Sequence, residues 1–144
     1  MPASAKLYGK AMHSAFSGLI NLPSDTIKAA LCTSSYTPDQ DAHDYFNDIS
    51  GEVVGTGYTA GGATLGTKTL TYDGPSNTVT FDAADTSWAT STITARYAVI
   101  YKDTGTPSTS PLIGYVDFGA DVSTTAGTFQ ITWNASGIFA LSVA

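Results

Sequence analysis

The chain has 144 residues, 42% of them hydrophobic and 11% aromatic but only 12% charged, with a formal net charge of −6 and an isoelectric point near 4.4. That length predicts one domain around one core, burying roughly 70% of the surface its unfolded form exposes. The six Lys and Arg residues are scattered and form no basic patch, which excludes the usual footprint of a nucleic-acid binder.

Charged residues stand at about half of the roughly 25% usual in soluble domains, and Thr, Ser and Gly take their place. A polar surface with few charges is desolvated cheaply, so this composition suits contact with other protein. The opening MPASAKLYGK has no apolar stretch of the signal-peptide kind, and no run approaches the ~18 apolar residues of a membrane span. The expectation is a soluble protein made in a cytoplasm, with no membrane partner.

From Lys6 to Leu22, Leu7 and Tyr8, Ala11 and Met12, Ala15 and Phe16, then Leu19 and Ile20 recur every four positions. This spacing predicts one long amphipathic helix. Ser4 is its candidate cap, and Gly9 and Gly18 each weaken it by about 1 kcal/mol against Ala. Residues 1–24 therefore read as a helical or arm segment and residues 25–144 as a single β domain. The apolar stripe either packs over the sheet or reaches a neighbouring subunit.

Thr26 to Thr33 alternates Ile27, Ala29 and Leu31 against Lys28, Ala30 and Cys32 and predicts the first strand. Ser34 to Ser50 is an Asp-rich loop with room for a helical turn or two over His43–Ile49, Tyr45, Phe46 and Ile49 pointing inward. The Gly-rich run from Glu52 to Gly62 predicts sharp bends or close backbone approach. Ala63–Tyr72 and Thr78–Asp82, joined by a turn at Asp73-Gly74-Pro75-Ser76-Asn77, predict a hairpin. In the connection Ala83–Ser91, Trp88 is the expected core anchor.

Thr92 to Phe118 carries the central hairpin, two β-rich runs around the turn formers of Asp103–Pro111. Alternation puts Ala95, Tyr97, Val99 and Tyr101 on one face of its first run and Arg96, Ala98, Ile100 and Lys102 on the other. In the second run Leu112, Gly114, Val116 and Phe118 share one face, and Ile113, Tyr115 and Asp117 the other. Both runs are apolar on two faces, as in strands covered from both sides. Ala120–Gly127 reads as a polar loop, and Thr128–Val143 as a last strand region broken at Asn134–Gly137. Six to eight short strands with these turn signals predict a mainly β chain, an antiparallel sandwich or barrel, jelly-roll-like, behind an N-terminal helical segment.

Chemistry-bearing groups are few. Asp39, Asp41, Asp44 and Asp48 offer oxygens to a cation but lack EF-hand spacing, and read as a solvated loop with capping aspartates. His43 beside Asp41 or Asp44 is a surface histidine before it is an acid–base pair. Cys32, mid-strand and without a disulfide partner, reads as a buried small hydrophobe. GTGYTAGG lacks the Lys and the following helix of a phosphate loop, and Asn134-Ala135-Ser136 is a formal glycosylation acceptor only. Tyr36, Tyr45, Tyr58 and Tyr72 with Trp88 and Trp133 suit a sugar platform or, more ordinarily, packing. No catalytic residue, metal or cofactor is expected.

The runs DTIKAALCTSSYTPDQDAHDYFNDIS, GTGYTAGGATL with KTLTYD, TITARYAVIYKDTGT and SPLIGYVDFG resemble a group of small tailed-bacteriophage virion structural proteins, from about Asp25 to Leu141. The resemblance implies a non-enzymatic virion component assembled in the host cytoplasm, foremost a capsid decoration (cement) protein that binds the major capsid protein. Its alternatives are a tail, baseplate or head-to-tail part, or a host-surface carbohydrate-binding module. A homo-oligomer, a trimer at a local three-fold axis, would share contacts through Leu7, Tyr8, Met12 and Phe16.

Overall fold

The computed structural model describes residues 2–143. In chain order its elements are β1 (Ser4–Leu7), α1 (Gly9–Phe16), β2 (Ile27–Cys32), β3 (Ala63–Thr64), β4 (Thr69–Asp73), β5 (Thr78–Asp82), β6 (Thr86–Lys102), β7 (Leu112–Ile131) and β8 (Phe139–Ser142), with single 3-10 turns at Phe46–Asp48 and Pro107–Thr109. The strands form two antiparallel sheets, one of five in the order β1-β7-β6-β2-β3 and one of three in the order β4-β5-β8. The expected mainly β fold with an N-terminal helix is present, as a sandwich of two sheets and not a closed barrel.

The hairpin of β6 and β7 is the spine, and it is longer than its sequence suggests. Ala120–Gly127, expected as a loop, continues β7: Val122, Ser123 and Thr124 pair with Ala95, Thr94 and Ile93. Its polar character reflects a solvent-facing ribbon. Hydroxyl pairs cross the ladder there, Thr94 to Ser123 and Ser91 to Thr124, each at 2.8 Å, and Thr fits the pleated surface well. Thr90 (φ 51°) lies where the register shifts between Trp88 and Ser91, and Ala126 (φ 47°) opposite the next shift, between Ser91 and Ile93. Such bulges bend a strand; beyond this one, Trp88, Phe129 and Ile131 are buried.

Two further register shifts correct the expected faces. One lies between Ala95 and Tyr97, the other between Ile100 and Tyr101. An extra residue inverts the in–out alternation, so Ile93 and Ala95 share a cluster with Ala98 and Ile100, while Tyr97, Val99 and Tyr101 join another. On β7, Leu112 likewise parts from Gly114 and Val116 and packs with Tyr101.

Each face of β2 belongs to a different cluster. Ile27, Ala29 and Leu31 lie between the sheets with Phe81, Trp88 and Phe129. Ala30 and Cys32 lie on the opposite side with Tyr8, Tyr36 and Val99, beneath α1 and the Asp-rich loop. Two-sided burial, expected for the β6–β7 hairpin from its apolar runs, holds there over Ala98–Tyr101 and Leu112–Gly114 and extends to β2.

The long helix is not. Lys6 and Leu7 are extended and pair with Tyr115 and Gly114 of β7. Ser4 lies in β1, and the helix starts after Tyr8 without a side-chain cap. It ends at Gly18, whose φ of +81° suits glycine alone. There Leu19 N–H donates to Ser14 O and Gly18 N–H to Ala15 O, the paired bonds of a Schellman end. The four-residue recurrence persists past this point, but the backbone does not.

Phe129 and Ile131 finish β7, a turn at Asn134–Gly137 follows, and Phe139–Ser142 joins the smaller sheet beside β5. The hairpin expected of Ala63–Tyr72 and Thr78–Asp82 forms from β4 and β5, Asp73 opposite Thr78, but Ala63–Thr64 is split off and pairs with β2 in the larger sheet. The Gly-rich run crosses the larger sheet at very short range. At Gly62, φ is +81° and a Cβ would stand 1.9 Å from Ala29 O; at Gly57, φ is +82° and it would stand 2.7 Å from Ser91 Cα.

Gly62→Ala should therefore destabilise the protein by roughly 2–4 kcal/mol, combining a left-handed backbone with overpacking. Gly66→Ala, with open space around it, should stay within about 0.5 kcal/mol of the wild type. Urea denaturation of the two variants measures the contrast.

Candidate interaction surface

The structure separates the four residues at which a shared contact is expected. Tyr8 is 1% exposed and lies inside the chain's own core. Leu7 and Met12 are half-buried, Leu7 packing against the inter-sheet cluster. Phe16, at the last position of α1, is 85% exposed, and Leu19 beside it is exposed too.

Tyr8 is held by a hydrogen-bonded chain. Its hydroxyl lies 2.8 Å from that of Tyr36, which lies 3.0 Å from His43 Nδ1. The Asp39 backbone N–H also donates to that Nδ1, at 3.2 Å. A backbone N–H only donates, so Nδ1 is an acceptor, Tyr36 donates to it, and Tyr8 donates to Tyr36. Burial pushes the Tyr36 hydroxyl up to about 12 and raises Tyr8 further, burial again leading and the bond to Tyr36 adding to it. His43 thus pairs with a tyrosine and not with Asp41 or Asp44, and the chain of groups pins the Asp-rich loop over its cluster.

The aspartates of that loop are engaged locally. Asp39 Oδ1 accepts from the Asp41 and Ala42 N–H groups, and Asp48 Oδ2 from those of Asp44 and Tyr45. Asp44 bonds Lys10 at 3.1 Å. These are the capping roles short acidic side chains take in turns. The loop's 3-10 turn carries Phe46 onto Tyr101, with ring centroids 4.0 Å apart.

The Gly-rich run is a strap tied by side chains. Glu52 accepts from Tyr58 Oη at 2.7 Å and from Gly61 N–H at 2.5 Å. Tyr58 Oη in turn accepts from Leu31 N–H at 2.9 Å, and Tyr101 Oη donates to Gly61 O at 2.7 Å. Cys32 lies beneath, fully buried, and burial with the nearby Glu52 charge pushes its thiol up to about 12.

The six aromatic residues considered for a sugar platform do not share a surface. Tyr36, Trp88 and Trp133 are buried, Tyr58 and Tyr45 are half-buried, and Tyr72 alone is well exposed, at 62%. Tyr72 belongs to a different arrangement. In the smaller sheet Leu70, Phe81 and Phe139 form one cross-strand row and Tyr72, Val79 and Leu141 the next. Phe81 is sealed in the core, whereas the second row projects past it, with Val143 exposed beyond. Val54 on the strap, 96% exposed, is a further apolar group in solvent. The period-two pattern of β4 and β5 carried the signal for this ledge, but not how far the opposite sheet reaches beneath it.

No protein-family model, curated protein or solved structure matches the chain.

The Cys32 environment sets a pH dependence. An unfolded thiol titrates near about 8.5, while the native thiol stays protonated to about 12. The unfolded state alone then loses a proton, so stability is full below that lower value and falls as pH rises, by up to about 1.4 kcal/mol per unit. Chemical denaturation between about pH 8.5 and 10 should show that decline in the wild type and a shallower one in Cys32→Ala.

Proposed function

We propose that the protein is a non-enzymatic bacteriophage virion structural protein, and within the particle a capsid decoration (cement) protein that binds the major capsid protein. The residue runs quoted above support the family, and one structural observation supports the role. Exposed apolar side chains stand on three different elements of a rigid sandwich: Phe16 at the end of α1, Val54 on the strap and Tyr72 on β4. The first two are 85% and 96% exposed in the single chain, more than a core or a fold requires.

A decoration protein holds a shell through many copies of a modest interface, roughly 800 Å² per partner. Multivalency then supplies the hold that no single contact has. Surface poor in charge fits such contacts because little solvation is lost. In a trimer around a local three-fold axis, Phe16 and Met12 supply the shared contact, and Leu7 and Tyr8 support it from beneath.

Cryo-EM and quantitative mass spectrometry of purified particles test this reading. Hundreds of copies on the head are expected. A few copies confined to the tail or the head-to-tail junction would move the protein to another structural post, and particles without it would end the reading. Phe16→Asp should leave the melting temperature within about 2 °C of the wild type, since the ring touches little, while markedly lowering the number of copies per head.

A further inference from the structure

The sandwich is open along one side. β1 ends the larger sheet and β8 ends the smaller one, and between them lies a cleft of about 260 Å³, floored by Ile100, Ile113, Val116 and Phe139. Its volume is below the roughly 300–1,000 Å³ of pockets that take drug-sized ligands. Its walls are strand edges, and strand edges recognise extended backbone.

The phase of β1 determines which groups it offers. Tyr8 N–H donates to Ile113 O, its directly opposite residue. In an antiparallel pair bonded and non-bonded positions alternate, so Lys6 and Ser4 bond to β7, whereas Ala5 and Leu7 direct their N–H and C=O groups outward. Gln40 Nε2 already occupies Leu7 O, at 2.7 Å. The Ala5 N–H and C=O and the Leu7 N–H remain available to a further strand.

Charge identifies the visitor. Lys10, Lys28, Arg96 and Lys102 are ion-paired, and Lys68 donates to Asp25 O. Lys6, on β1, is exposed, and its cation is the one of the six basic groups with no partner among the described residues. A second copy of this chain fits poorly. Antiparallel pairing of two β1 strands over Ala5–Leu7 sets Lys6 against Lys6, and like charges directly opposite are unfavourable.

We propose that this cleft binds an extended acidic segment of a partner protein, added as a strand beside β1. Two of its apolar side chains enter the cleft, and a carboxylate between them, on the outer face, meets Lys6. This is strand addition, with backbone bonds giving hold and alternate side chains giving selection. It goes beyond the virion reading and stands or falls without it.

Peptide titrations followed by NMR on the isotope-labelled protein test it, with acetyl-Thr-Val-Glu-Val-Thr-amide as the probe and a Lys-for-Glu peptide as its control. Expected are shifts confined to β1, β7 and β8, a dissociation constant on the order of 0.1–1 mM, and binding of the Lys peptide weaker by about fivefold or more. Lys6→Glu should reverse that preference. Ala5→Pro removes an outward N–H that no intrachain bond uses, a change an edge strand tolerates, and should abolish binding with the fold intact. If that variant does not fold, the Lys6→Glu reversal decides alone. Equal binding of both peptides, shifts elsewhere, or no binding at millimolar peptide would overturn the proposal. So would a dimer of the free protein, seen by analytical ultracentrifugation, that Lys6→Ala strengthens or Ala5→Pro dissociates, for then a second copy fills the cleft.

Discussion

Burial of the central strands on both faces is the constraint from which the rest of the structure follows. Ile27, Ala29 and Leu31 on one side of β2 and Ala30 and Cys32 on the other are all inaccessible to solvent. A strand with two apolar faces is stable only between two covers. One cover is the smaller sheet with the returning end of the β6–β7 hairpin; the other is α1 with the Asp-rich loop. Small side chains let these covers approach. Ala29, Ala30, Ala95 and Ala98 are all fully buried, and the strap lies so near Ala29 that Gly62 has no room for a side chain.

The sandwich side is closed mainly by packing, the other side and the glycine-rich strap by directional bonds. Tyr8, Tyr36, Tyr58 and Tyr101 each bury much of a ring and place the hydroxyl on a specific partner: another tyrosine, a histidine, a carboxylate or a carbonyl. Tyrosine suits this use because one end is apolar and the other bonds. Irregular segments that cannot share a ladder are held in this way. No buried side-chain nitrogen or oxygen among the described residues lacks a partner, as native interiors require.

What the sequence made legible was set by local period, and what it hid was set by tertiary register. The hairpin at Asp73–Thr78, the two-faced centre and the glycine crossing all follow from residue types in order. The bulges at Ala95–Tyr97 and Ile100–Tyr101 do not, because Arg96, Ala98 and their neighbours suit either phase of a strand. The polar half of β7 was hidden because Thr and Ser serve a solvent-facing ribbon as readily as a loop. The helical stripe misled in a different way. Its period is real, but Lys6 and Tyr8 bond their backbone to β7 with Leu7 extended between them, and Gly18 admits the turn that ends the helix. At the interaction surface, Phe16 was readable as apolar, whereas the burial of Tyr8 depended on Tyr36 arriving from a distant loop.

The distribution of charge completes this logic. Arg96 grips Asp117 at 2.7 Å and Lys28 grips Asp103 at 2.7 Å, and those partners hold both carboxyls below their usual range. Asp39 and Asp73 are held low chiefly by short bonds from the loops they cap. Ionic groups of both signs are thus largely committed within the chain. A long charged side chain normally loses rotamer freedom and solvation when another surface covers it. Here much of that ordering has occurred on folding, so a neighbour meets fixed Thr-lined strands and apolar projections. Association with such a surface is limited by fit of shape and by the few unengaged groups at its edges.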